Sequence, residues 1–149
     1  MTLSSPSKNS VEVYSIPGKL IGHHLLDSNT IVDSWTSLDV TFEEWKSTIY
    51  EMGILKYVPK HKVTSWITDT SNSSGLFKPE IQDFRKATSA EAMAQAGIKM
   101  YFTVLPQSAL GKLSVRRTSS AYSGHGEMQS IAVASMEEAF DIIKKEQST

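Results

Sequence analysis

The feature that most limits how this chain can fold is Ile98 to Leu105, an almost unbroken apolar and aromatic run. Successive side chains of a strand point to opposite faces, so a strand open to water on one side alternates apolar and polar residues. A run without alternation is expected of a central strand buried on both faces. Val63 to Asp69 is a second apolar strand pattern, and it ends in an acid followed by the small, hydroxyl-rich loop Thr70 to Gly75.

The patterns around these two runs alternate between strand and helix. Val11, Val13 and Ile16 suit a short edge strand before Pro17-Gly18, and Leu20 to Leu26 and Thr30 to Trp35 flank the turn-forming Asp27-Ser28-Asn29, which predicts an antiparallel hairpin. Thr41 to Glu44 has capping-box spacing, in which the threonine hydroxyl and the glutamate carboxylate satisfy backbone N–H groups at a helix start. Phe42, Trp45, Ile49 and Met52 then recur at helical spacing as one buried stripe, with Pro59 expected to stop the helix.

Pro79 opens a further helix with Ile81 and Phe84 facing inward, Thr88 to Glu91 repeats the capping-box spacing as a bend or restart, and Gly97 is a suitable left-handed terminator. Ala109, Leu110 and Leu113 suggest a third helix after Pro106. Met128, Ile131 and Val133 mark a last strand, and Ser135 to Glu138 caps a last helix carrying Met136, Ala139, Phe140 and Ile143. Strands and helices alternating after an initial hairpin imply right-handed crossovers and a largely parallel sheet. The expected fold is a single α/β domain over residues 11–147 with about five strands, preceded by a disordered tail at residues 1–10, where there is almost nothing to bury.

Composition narrows the function. A length of 149 residues and 40% hydrophobic content suit one domain with a real core. Fifteen Lys plus Arg against sixteen Asp plus Glu leave a net charge of −1, which offers no global attraction to nucleic acid. The absence of cysteine excludes disulfides, thiolate metal sites and cysteine nucleophiles, and suits a cytoplasmic protein. No apolar run approaches the roughly 18 residues of a membrane span, so membrane insertion is not expected.

The element order, together with Ser34-Trp35, Glu44-Trp45, Trp66 to Asp69, Ala96 to Lys99 and Ser135 to Ala139, resembles the SpoIIAA-like (STAS-like) fold of anti-sigma-factor antagonists and the small uncharacterised bacterial proteins grouped with them. The resemblance covers about residues 20–147. In the antagonist branch a D-S-S-G-L sequence opens the helix after the corresponding strand, and its first serine is phosphorylated. Here the nearest match is Asn72-Ser73-Ser74-Gly75-Leu76, which implies a switch at Ser73. Asn72 stands in place of the acid, and the segment lies closer to the preceding strand than in the family.

Ligands of open α/β sheets gather beyond the carboxyl ends of parallel strands. If Val63 to Asp69 and Ile98 to Leu105 are neighbours, Asp69, Ser71, Ser73, Ser74, Gln107 and Ser108 converge on one rim as a recognition loop; the plain alternative is an Asx turn in a solvated serine loop. His23 and His24 near Asp27 read as an incidental hairpin pair, since adjacent strand residues face opposite ways. His61 and His125 read as solvated loop residues, and Lys112, Arg116 and Arg117 as a solvated basic face. Trp35, Trp45 and Trp66 are expected in or beside the core.

No set of nucleophile, base and orienting group is visible, so neither catalytic nor metal residues are assigned and no cofactor is expected. The reading is a non-enzymatic regulatory or protein-interaction module, with a protein partner or a homodimer as the expected association. The alternative is a small-ligand or lipid-binding domain, because the CRAL-TRIO lipid-transfer domains have a related sheet architecture and this chain is rich in methionine and aromatics.

Overall fold

The computed structural model describes residues 9–105 and 128–147. Its sheet has six strands in the order of the chain: β1 (Ser10–Ile16), β2 (Leu20–Leu25), β3 (Thr30–Trp35), β4 (Ser65–Asp69), β5 (Met100–Val104) and β6 (Gln129–Val133). The first three pair antiparallel, and β3 to β6 run parallel. Six strands replace the expected five or so. Ser10–Ile16 is a full strand because Tyr14 and Ile16 are buried, and it pairs with β2 along its length through a bulge between Glu12 and Tyr14. The expected helix at Ala109, Leu110 and Leu113 lies outside the described residues.

The run that reads as buried on both faces is β5, every residue of which is buried. Tyr101 joins a core with Ile31, Trp35 and Trp66 of the neighbouring strands and Trp45, Ile49, Ile81 and Met93 of the helices that follow β3 and β4. Phe102 and Val104 join the opposite core with Ile67, Val133 and the last helix through Ala139 and Ile143. All three tryptophans are in the core, as expected.

After β3 the chain forms α1 (Phe42–Trp45), a π-helical stretch (Lys46–Tyr57) and α2 (Val58–His61). Thr41 makes both bonds of the capping box: its hydroxyl accepts from Glu44 N–H at 3.0 Å, and Glu44 Oε1 accepts from Thr41 N–H at 2.8 Å. The stripe expected at 3.6-residue spacing does not hold through the π turns, where the buried residues are the adjacent pairs Thr48-Ile49 and Gly53-Ile54, five positions apart, with Val58 following at the start of α2. Met52 is thereby turned outward and is 46% exposed. Pro59 does not stop the helix. Around it the hydrogen-bond ladder changes from i−5, as in Val58 N–H to Gly53 O, to i−4, as in Lys62 N–H to Val58 O, a place where a missing N–H is tolerated.

After β4 come α3 (Pro79–Phe84), a π-helical turn (Arg85–Ser89) and α4 (Ala90–Ala96), which Gly97 ends at φ 114°. The Thr88 to Glu91 spacing forms no cap, because Thr88 lies within the π turn and the chain stays helical through Ser89. The last helix, α5 (Met136–Gln147), is capped as expected by Ser135 Oγ, which accepts from Glu138 N–H at 3.1 Å.

Candidate functional site

The rim loop follows from how β4 ends. Thr70 is buried, and both its hydroxyl and its N–H donate to Val104 O, at 2.6 and 3.2 Å, which anchors the loop to the end of β5. Asp69 then forms the Asx turn, its Oδ1 accepting from Ser71 N–H at 3.0 Å and Ser71 Oγ at 2.6 Å. Ser73 closes on Thr70 O with both its N–H and its hydroxyl, at 3.1 and 2.8 Å. Ser74 lies beside the segment leaving β3: its N–H donates to Thr36 O at 3.1 Å, and its carbonyl accepts from Leu38 N–H at 2.8 Å.

The loop is thus tied on two sides, with Asn72, Ser74, Gly75 and Leu76 exposed. Leu76 is 40% exposed among these polar neighbours. Beside it, Lys78 Nζ meets Asp39 Oδ1 at 2.8 Å, which holds the Asp39 carboxyl below its ordinary pKa. Of the six rim residues predicted from the sequence, the structure brings Asp69, Ser71, Ser73 and Ser74 together, while Gln107 and Ser108 lie outside the described residues.

Beneath the loop is a buried polar cluster. Asp33, Thr68 and Thr103 stand in register on β3, β4 and β5, and all three are buried. Asp33 accepts from Tyr14 Oη on β1 and from Trp66 Nε1 on β4, the latter at 2.9 Å. Gly22 and Gly53 leave the room for these donors, since a Cβ at either position would overlap Tyr14 or Trp66. Burial pushes the Asp33 carboxyl up to about 7, against the lowering effect of the Tyr14 and Trp66 hydrogen bonds and the Arg85 charge.

Arg85, 2% exposed, reaches this cluster from the π turn. Its Nη2 donates to Tyr101 Oη at 2.8 Å, and Tyr101 Oη lies 2.7 Å from Thr68 Oγ1. The guanidinium carbon sits 5.6 Å from the Phe77 ring centroid and 5.9 Å from that of Tyr101. Phe77 is the buried end of the rim loop and packs edge-on against Trp35 at 5.1 Å. Asp33, Trp35, Thr68, Phe77, Arg85 and Tyr101 border a cavity of about 10 Å³, roughly the space one water requires.

No family model, curated protein or solved structure matches the chain.

The remaining sequence candidates fall elsewhere. His24 is a structural residue: it is buried, with Nδ1 2.8 Å from Tyr57 Oη and Nε2 2.9 Å from Asn29 Oδ1. Asp27 instead accepts from Asn9 Nδ2. His61 is exposed, as expected, but on α2 rather than in a loop, and it stacks on the Tyr57 ring at 4.0 Å. His125, Lys112, Arg116 and Arg117 lie outside the described residues. Among the described residues no three or more His, Asp or Glu side chains are grouped to hold a metal, and no helix is long and apolar enough to cross a membrane.

A second cavity, about 180 Å³, lies at the amino ends of β4 and β5 between Ser65, Lys99, Met100 and Gln147. Both cavities are smaller than the roughly 300 Å³ at which small-molecule pockets begin.

The sequence reading missed Tyr14, Asp33, Arg85 and Tyr101. Two signals were available: Asp33 shares a strand face with Ile31 and Trp35, and Arg85 continues the Ile81 stripe at a spacing of four.

Proposed function

We propose that this chain is a non-enzymatic protein-interaction module of the STAS-like kind, which binds its partner through the rim loop of Asp69 to Leu76 and the adjoining start of α3. The observation that carries the reading is the prior fixing of the loop. Its hydrogen bonds to Asp69, Thr70 and Thr36 hold Ser74, Gly75 and Leu76 outward, so little ordering entropy remains to be lost on binding. The strand order supports the family reading, because an antiparallel hairpin leads into parallel strands laid down one after another.

The hydroxyls of Ser71, Ser73 and Ser74 hydrogen-bond to Asp69, Thr70 and Thr36 rather than to a histidine among the described residues, an arrangement that suits a surface better than a nucleophile. A phosphate on Ser73 would break its bond to Thr70 O and add charge to the loop, giving the surface two states.

The test is affinity capture from the native host with the wild type and Leu76→Asp, together with phosphopeptide mapping. A partner held by the wild type and reduced at least tenfold by Leu76→Asp, at unchanged melting temperature, is the expected result. A partner retained equally by both proteins, or neither a partner nor a Ser73 phosphate, would overturn the proposal.

A further inference from the structure

The last helix leaves a gap at the amino end of the sheet. Ile67 of β4 and Met100 of β5 lie on the face that α5 covers through Ala139 and Ile143. Ser65 stands two residues before Ile67 and in register with Met100, so its side chain points to that same face. On α5 the sheet-facing stripe of Ala139 and Ile143 continues, at a spacing of four, to Gln147, where an apolar side chain would complete the cover. Gln147 instead donates from Nε2 to Ser28 O at 2.8 Å, which draws its side chain toward the turn between β2 and β3. A small residue in the sheet and a side chain tied aside on the helix leave the cavity of about 180 Å³, bordered by Thr64, Ser65, Lys99, Met100, Glu146 and Gln147.

We infer that this cavity binds one small neutral molecule, mostly apolar and carrying a single hydroxyl, of the size and chemistry of phenol. An apolar cavity of about 150 Å³ accepts benzene, so about 180 Å³ suits a slightly larger molecule. The wall is mainly apolar and includes Met100, whose thioether packs well against an aromatic ring. Ser65 sets the need for a hydroxyl: it is 2% exposed, and its own hydroxyl makes no hydrogen bond among the described residues. A serine hydroxyl both donates and accepts, which matches a ligand hydroxyl that does the same. Lys99 and Glu146 are both exposed and opposite in sign, so neither sign of ligand charge is favoured. Water is the competing occupant, and its release from an apolar wall favours the organic molecule.

The site lies at the amino end of β4, whereas the rim loop follows its carboxyl end, so the two do not depend on each other.

The experiment titrates the full chain with phenol and, separately, with benzene, followed by amide NMR and thermal melting. Millimolar phenol should raise the melting temperature and shift the amides of Ser65, Lys99, Met100 and Gln147, with benzene binding more weakly at the same place. Ser65→Ala keeps the space and removes the hydroxyl, so phenol should bind about fivefold more weakly while benzene binds unchanged. Gln147→Leu, at an exposed helix end, is the second variant should the first fail to fold; it completes the apolar stripe, fills the cavity and should abolish binding of both compounds. No shift at these residues, shifts scattered over the surface, or phenol affinity indifferent to both variants would overturn the proposal.

Discussion

Asp33 shows how much one side chain can impose on a fold. A carboxyl buried beneath helices must be paired or protonated, and here Tyr14 and Trp66 supply the donors while Arg85 supplies charge. Because its folded pKa, about 7, exceeds the ordinary 3.8, the folded state holds a proton that the unfolded state has already released between those values. Stability should therefore fall as pH rises from about 4 to about 7, by at most a few kcal/mol, and level off above. Urea denaturation across this range should show that slope in the wild type and lose it in Asp33→Asn. Gly53 allows a second test of the same cluster. Alanine normally stabilises a helix relative to glycine, but here its Cβ would sit 2.9 Å from the Trp66 ring. Gly53→Ala should therefore destabilise, by about 1–3 kcal/mol, and a stabilised variant would refute the packing argument.

The helices separate real caps from look-alikes. Thr41 and Thr88 have the same spacing to a glutamate, yet only Thr41 makes both capping bonds. Thr41→Ala should cost about 1 kcal/mol in chemical denaturation, whereas Thr88→Ala should change stability by less than about 0.5 kcal/mol. The difference was invisible in sequence because a capping box requires extended backbone at the cap, as at Thr41 with ψ 160°, and Thr88 is instead inside a π turn that continues directly into α4. The same helix brings in Arg85 through a π turn, which a 3.6-residue template does not anticipate.

In the molecule as a whole, protection should follow coverage. Strands β4 and β5 have a hydrogen-bonded neighbour on each side and a core on each face, whereas β1 pairs, among the described residues, with β2 alone and exposes Val11 and Glu12. Native-state hydrogen exchange should find the slowest amides in β4 and β5, and the β1 amides at least an order of magnitude faster. Comparable protection in β1 would indicate that its free edge is covered in solution, as by the homodimer considered from sequence.

Much of the architecture was legible in the residues themselves. The unbroken run of β5, the Asp27-Ser28-Asn29 turn, the Thr41 and Ser135 caps and the inward tryptophans are dictated by short-range sterics and periodicity, which act within a few residues and need no partner. The Asx turn at Asp69 was legible for the same reason. What only the tertiary structure decided is which distant residues meet. Tyr14 and Trp66 reach Asp33 from 19 and 33 positions away, and Arg85 reaches Tyr101 across 16. Those meetings depend on strand order, register and the space left by Gly22 and Gly53, terms that arise only when the sheet and its helices pack together.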